Sequence, residues 1–480
     1  MRGVLGTGTI VSGLVAFAFA ANPVAAERIL RGSLVALLLS LILGSLVAQQ
    51  SGLWRIPSRQ RVGLVALGVL TLLSRGAFLH PQAFYPDYRV HALVQQTLDH
   101  LGLSQFLDQL FEIQYARSLG LQQVGGNWYP FPYPPGSYLL TGGMAALFRL
   151  SPLDASMAAS MTFASMIPVL TMAIGVRLRC SEAASLAAAF YVSLQPLLVR
   201  RMALGYFPGL AGQFMDALAL LLLVAGLRPG ALGLRGTLVT SAALLAAFLV
   251  YTQSIANFGL LIAALLVIEF TRPSPGGRRA ALRAGAVGAI ALAAATGIFY
   301  GRYLTVFENA ANRRAQPEAR VLDRLEELRR NSSVAAETPE ADDLNDPWSG
   351  PTLNPARGFG RLSSRLWRFN GPFVVGIALG CWMLLRQANP ATRNLLLSWA
   401  AVALWISLLA AGLPSPNGFQ HLKDLEFVSP LIALAMGTFT VRLWEWRPVA
   451  GVLFASGWAI YAAVSFAGEW TARLLVFLDR

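Results

Sequence analysis

The chain has 480 residues, of which 55% are hydrophobic and 13% charged. That is too much apolar surface for a water-soluble fold, and the apolar runs are long enough to cross a bilayer, so the chain reads as an all-α polytopic membrane protein. Its formal charge of +14 does not mark a nucleic-acid partner, because the arginines sit in short links between apolar runs and not on one soluble face; the charge is topological.

The apolar run after Met1-Arg2-Gly3 looks like a signal sequence, with small residues at 23–26 where a peptidase would cut. Runs 29–48 and 62–78 then enter and leave the cytoplasmic side. The link between them holds Arg55, Arg59 and Arg61, which the positive-inside rule places in the cytoplasm. The stretch 85–138 is therefore expected outside. Within it Val90, Leu93, Val94, Leu98 and Leu101 recur at helical spacing, with Arg89, Gln95, Gln96 and Asp99 mainly between them. Phe106, Leu107, Leu110 and Phe111 continue the pattern after Gly102, giving two short helices that lie in the interface. Pro134-Pro135 suits the first turn of a further helix. The run 136–150 is short for a span and ends in Arg149, so it is read as a third interfacial or re-entrant helix.

Spans are expected at 153–176, 183–199, 213–227, 238–251, 258–270 and 284–300. The links that fall inside on this count hold Arg177 and Arg179, then Arg228 and Arg235, then Arg272, Arg278, Arg279 and Arg283, as the positive-inside rule requires. Residues 301–371 form the one sizeable soluble segment and carry ten of the 24 acidic residues, which suits an outside loop. In it, 317–328 reads as a short amphipathic helix and 332–355 as flexible loop. Spans at 373–385, 394–409, 427–441 and 449–466 bring the total to about thirteen transmembrane helices. Cys180 and Cys381 are far apart and give no ligand spacing, so neither is assigned a redox or metal role.

On this topology the outer span ends collect most of the unusual polar groups, while the inner halves carry almost none. Asp87 and His91 are four apart and share a helical face. A carboxylate there can take a proton from an attacking hydroxyl, with the imidazole orienting it or binding a phosphate oxygen. The plainer alternative is that Asp87 caps its helix and His91 sits at the interface. Arg89, Arg200, Arg201 and Arg302 offer two-pronged charged donors to a phosphate, or snorkel to headgroups from span ends. His421 and Lys423, the chain's one lysine, either join that set or form a local cap with Asp424 and Glu426. Asp216, about a turn into its expected span, is the main exception to the outer clustering. An enzyme acting at the outer leaflet fits this distribution; a transporter or flippase places polar groups near mid-membrane along a path.

The pattern resembles the GT-C glycosyltransferases, integral-membrane enzymes that use lipid-phosphate-linked sugars and include protein mannosyltransferases and aminoarabinose transferases. A span followed by Asp87 is similar to their acidic residue at the head of the first outer loop. Tyr133-Pro-Pro135-Gly-Ser-Tyr138-Leu-Leu resembles their proline-proline elbow, and 155–201, with its outer arginine, resembles the two spans after it. The likeness covers roughly 62–227, a domain-sized stretch.

It implies a GT-C-like module at 62–230 with its outer loop at 80–137, preceded by a two-helix hairpin at 1–61 and followed by spans at 231–300, the loop 301–371 and spans at 372–480. It also implies a polyprenyl-phosphate sugar donor, a lipid, glycan or protein acceptor, and a bacterial-type cytoplasmic membrane with the site facing the periplasm. Asp87 and His91 would be catalytic; Arg89, Arg200, Arg201, Arg302, His421 and Lys423 would hold the donor phosphate; Tyr129, Phe131, Tyr133, Tyr206 and Gln253 would line the acceptor groove. The chain departs from the family after Arg201, where Met-Ala-Leu-Gly-Tyr206-Phe-Pro replaces a second acid. Either Asp216 takes that role, leaving Asp87 and Asp216 as the pair for a divalent metal, or the second carboxylate is missing.

Overall fold

The computed structural model describes residues 23–51, 53, 57–76, 91, 94–95, 98, 102–103, 122–124, 127–129, 134–203, 207–226, 234–303, 355–412 and 425–478. The expected leader and the amphipathic helix 317–328 lie outside these residues. The chain is a helical bundle. Helices α1 (Pro23–Ser51) and α2 (Ser58–Gly76) open it, followed by a short antiparallel hairpin of β1 (Gln122–Val124) and β2 (Asn127–Tyr129), with Gln122 opposite Tyr129. Then come α3 (Gly136–Phe148), α4 (Pro152–Arg177), α5 (Glu182–Ser193), α6 (Pro196–Ala203), α7 (Phe207–Gly226), α8 (Leu234–Val250), α9 (Gln253–Thr271) and α10 (Gly277–Ile298). After a 3-10 turn at Tyr300–Tyr303 the described chain resumes with α11 (Pro355–Asn370), α12 (Val374–Gln387), α13 (Pro390–Gly412), α14 (Ser429–Trp446) and α15 (Pro448–Leu478).

The centre of the bundle is α4. Its start is set locally: Ser151 accepts a hydrogen bond from the Asp154 amide at 3.2 Å, and Pro152 opens the first turn. Its body is built largely of Ala, Ser, Thr, Met and Gly and is buried almost throughout, packed against α1, α2, α3, α5 and α7. Small side chains let helices approach closely where lipid supplies no hydrophobic drive. The same device closes the second half: a Cβ on Gly437 of α14 would strike the Ala184 carbonyl of α5, and one on Gly380 of α12 would strike the Ala435 carbonyl of α14.

Among the described residues seven helices are long and apolar enough to cross a membrane, or eight if the bent pair α5–α6 is one span. The chain is thus a multi-pass helical protein in which apolar stretches of α1, α3 and α8 are shorter than a span. The expectation of about thirteen spans exceeds this count, in part because it includes such shorter runs and segments outside the described residues.

Three boundaries differ from the sequence reading. The run 183–199 is two helices, bent by 41° where Pro196 cannot donate to the preceding turn. Helix α7 begins at Phe207, with Pro208 in its first turn, so Asp216 lies roughly 13 Å along it and not one turn in. Helix α11 occupies 355–370, the end of the segment read as soluble loop.

Candidate functional site

Of the site residues expected from sequence, the side chains of His91, Arg200, Arg201, Asp216 and Gln253 are described. Seven of the expected site residues (Asp87, Arg89, Phe131, Tyr133, Tyr206, His421 and Lys423) lie outside the described residues. Of Tyr129 and Arg302 the backbone alone is described, in β2 and in the 3-10 turn. Tyr300 anchors that turn, donating to the Phe248 carbonyl at 2.7 Å, and burial pushes its hydroxyl up to about 12.

His91 is buried, and its Nδ1 lies 2.9 Å from the Tyr138 hydroxyl of α3. Burial pushes the imidazole down to about 4, which keeps it neutral at physiological pH. One turn on, Gln95 was expected on the polar face of an interfacial helix. It is instead fully buried, its Oε1 accepting from Thr141 of α3 at 2.6 Å. Two side-chain contacts thus fix this segment on the helix that follows the double proline. The N-terminus of α3 sits directly on the end of α8, where Gly136 faces the Leu249 carbonyl.

Arg201 ends α6 as a buried side chain and forms an ion pair with Glu426, just before α14. Glu426 therefore reaches across the bundle, beyond the local cap read from the sequence. Gln213 of α7 reinforces the junction, donating to the Glu426 carbonyl at 3.3 Å and to Ser429 Oγ at 3.0 Å. Arg200, half-buried, pairs with Glu469 of α15 at 3.2 Å. One turn deeper along α7, Asp216 accepts from Asn257 Nδ2 of α9 at 2.7 Å. Around it, Ser254 of α9 also interacts with the Asp216 carboxylate, and Gln253 Nε2 and Asn257 Oδ1 are buried with no hydrogen-bond partner among the described residues.

Two contributors were not singled out from sequence. Arg75, buried at the end of α2, donates to the Ser193 carbonyl at 3.0 Å, a group next to the Pro196 break. Gln213 reads as an ordinary polar residue opening an apolar run. A basic residue at the end of an apolar run and an amide inside one were the signals available, and neither names its distant partner. Among the described residues no three His, Cys, Asp or Glu side chains gather as a metal-binding group. At Asp216 they supply one carboxylate with amide and hydroxyl neighbours, short of the carboxylate-rich oxygen set a divalent cation takes.

No protein-family model matches the chain, and no curated protein matches it in sequence. Solved structures match its fold. The archaeal oligosaccharyltransferase AglB from Archaeoglobus fulgidus, in complex with an inhibitory peptide and a dolichol-phosphate, aligns with a TM-score of 0.52 at 14% identity, over 86% of this chain and 56% of that one. The Archaeoglobus fulgidus oligosaccharyltransferase complex with Zn and sulfate gives 0.47 at 13% identity, over 84% and 53%. The apo form gives 0.45 at 12%, over 85% and 56%. The chain spans just over half the length of these neighbours. At this identity the likeness is one of fold: the described helices are arranged as in the archaeal oligosaccharyltransferase AglB.

Proposed function

We propose that the chain is a membrane glycosyltransferase that moves a sugar from a polyprenyl-phosphate donor to a lipid, glycan or protein acceptor at the outer face of a cytoplasmic membrane. The observation that carries this reading is the set of His91, Arg200, Arg201, Gln253 and Asn257 toward one end of the bundle, with Asp216 deeper along α7, in a fold like that of an oligosaccharyltransferase.

In the proposed reaction an acceptor hydroxyl attacks the anomeric carbon of the donor sugar and passes its proton to Asp87, while the bond from that carbon to the lipid-phosphate oxygen breaks. Charge develops on the departing phosphate, where fixed cations are worth most. Arg89, Arg200, Arg201, Arg302, His421 and Lys423 are the proposed set. Within it Arg200 is the more accessible of the α6 pair, whereas Arg201 is committed to Glu426 and shapes the site from behind. A neutral His91 held by Tyr138 suits orientation of Asp87, four residues away, better than neutralisation of a phosphate. Tyr129, Phe131, Tyr133, Tyr206 and Gln253 would form the acceptor groove, since aromatic faces pack well on sugars and acyl chains. The outer loop within 301–371 would cover the site.

Transfer of radiolabelled sugar from a panel of polyprenyl-phosphate sugars, with wild type and Asp87→Asn in parallel, tests the reading. It expects transfer by wild type and loss of at least a hundredfold in the variant with donor binding kept. Transfer by neither protein from any donor would overturn it.

One observation favours a second reading, a flippase of lipid-linked sugars. The Asp216–Asn257 pair lies near the middle of α7, at a depth where buried polar groups mark translocation paths. Movement of labelled lipid across proteoliposome bilayers, equal with Asp or Asn at position 87 and without transfer, would replace the enzyme reading with this one.

A further inference from the structure

The break between α5 and α6 is held by a side chain that the proposed reaction does not use. Pro196 has no N–H to give to the Val192 carbonyl, which the Gln195 amide takes instead at 3.3 Å. A new helix then starts, with the Leu198 and Val199 amides turning back to the Gln195 carbonyl at 3.0 and 3.2 Å. In a continuous helix the Ser193 carbonyl would meet the Leu197 amide. Here it accepts from Arg75 of α2 at 3.0 Å.

Arg75 is 1% exposed. Its hydrogen-bond partners among the described residues are that carbonyl and Ser74 Oγ at 3.5 Å, neither of them charged, and its Nε is buried without a partner among them. Burying a guanidinium away from a carboxylate costs more than one bond to a carbonyl contributes, so capping a helix end does not by itself account for Arg75. The geometry past the break does. Helix α6 carries Arg200 and Arg201, whose partners Glu469 and Glu426 come from two other parts of the chain. Arg201 stands about 7.5 Å beyond Pro196 along α6, so swinging α6 through the 41° bend onto the axis of α5 moves it by about 5 Å. Neither ion pair survives a shift of that size, so both depend on the direction of α6. Leu70 of α2 packs into one apolar cluster with Phe190 and Leu194, which holds the end of α2 against the end of α5 and keeps the guanidinium at the bend.

We propose that Arg75 is a positioning residue for the site: it takes the carbonyl that the Pro196 break leaves open and so fixes the direction in which α6 presents Arg200 and Arg201. The part those two arginines play in transfer rests on the proposed function. The bend and what holds it do not.

The test uses the full chain in nanodiscs, as wild type, Arg75→Met, Arg75→Lys and Pro196→Ala. The angle between α5 and α6 is read by electron cryo-microscopy, donor KM and kcat from sugar transfer, and stability from thermal unfolding. Arg75→Met is expected to swing α6 toward the axis of α5. It should lower kcat at least about tenfold with donor KM within about threefold, because fixed cations act where charge develops on the leaving group. Its melting temperature should stay close to wild type, since the lost hydrogen bond is offset by removal of a buried charge. An earlier melt with kcat per folded molecule intact would make Arg75 merely structural and overturns the proposal, as does a bend that stays at 41° in Arg75→Met. Arg75→Lys keeps a charged donor and should hold the bend, with kcat within about threefold of wild type; the same loss as in Arg75→Met overturns the proposal. If Arg75→Met fails to fold, Pro196→Ala decides. That variant can donate to the Val192 carbonyl, but Arg75 still holds Ser193, so the bend is expected to remain and a straight helix overturns the proposal. Because the angle is read from structure, a wild type that transfers no sugar contradicts the transferase reading alone, and the angle decides this one.

Discussion

Glu269, at the end of α9, and Asp216, midway along α7, are both buried carboxylates on membrane helices, and their surroundings differ. Glu269 ends α9 with both oxygens engaged: Ser274 donates from its amide at 2.9 Å and from its hydroxyl at 2.8 Å. The neighbouring turn is tied by Asn394 to the Arg272 carbonyl at 3.0 Å and by Arg278 to the Phe270 carbonyl at 3.3 Å. Asp216, by contrast, meets only side chains of another helix, Asn257 at 2.7 Å and Ser254, beside Gln253 Nε2 and Asn257 Oδ1 atoms that have no hydrogen-bond partner among the described residues. A buried polar group left open costs stability, so a fold keeps a cluster of them where they serve a ligand or a reaction. Glu269 closes a turn within one connection; Asp216 joins two helices beside buried amide atoms that lack partners among the described residues.

The largest effect that bears on this contrast is expected at the ion pair beside the open cluster. Arg201→Gln or Glu426→Gln alone strands a buried charge and should lower unfolding free energy by about 3–5 kcal/mol in detergent, whereas Arg201→Met with Glu426→Leu should recover most of it. A double variant as unstable as either single one would mean that the pair's worth lies outside its charges. Glu269→Gln comes next: it trades a carboxylate that accepts from two donors for an amide that cannot accept from both in the same way. About 1–3 kcal/mol should be lost, with turnover per folded molecule unchanged. Tyr138→Phe removes the partner of His91 and should cost about 1 kcal/mol in the same measurement.

A further expected effect is a pH slope. His91 holds its proton in the folded chain only below about 4, whereas an unfolded imidazole titrates near its ordinary value of 6.5. Between these values the unfolded state binds more protons, so stability should fall as pH drops from 6.5 toward 4 and be flat, as far as His91 is concerned, above 7. His91→Gln should flatten that part of the curve. An unchanged slope would assign the pH dependence to other groups.

Much of the fold is legible in the sequence because apolar runs and arginine-bearing links are local signals. Helices α4, α8, α12 and α13 fall within four residues of the spans read from hydropathy. What is hidden depends on partners far away in sequence. Gln95 reads as outward-facing by periodicity and is buried because Thr141 receives it. Glu426 reads as a local cap and belongs to Arg201. Phe207-Pro208-Gly209 reads as loop because of its proline and glycine, but proline suits a first helical turn, and the earlier start moves Asp216 deeper. The site is legible as a set of residue types at one end of the spans. The pairings of Arg201 with Glu426 and of Asp216 with Asn257 depend on how the helices pack.

The contrast between Asp216 and Glu269 is tested most directly by one paired measurement. Asp216→Asn and Glu269→Gln are purified together and assayed for sugar transfer per folded molecule and for thermal unfolding. The account predicts that Asp216→Asn loses transfer by at least a hundredfold while its melting temperature stays at or above wild type, and that Glu269→Gln melts earlier with transfer intact. Wild-type transfer in Asp216→Asn, or a melting loss there as large as in Glu269→Gln, would contradict it.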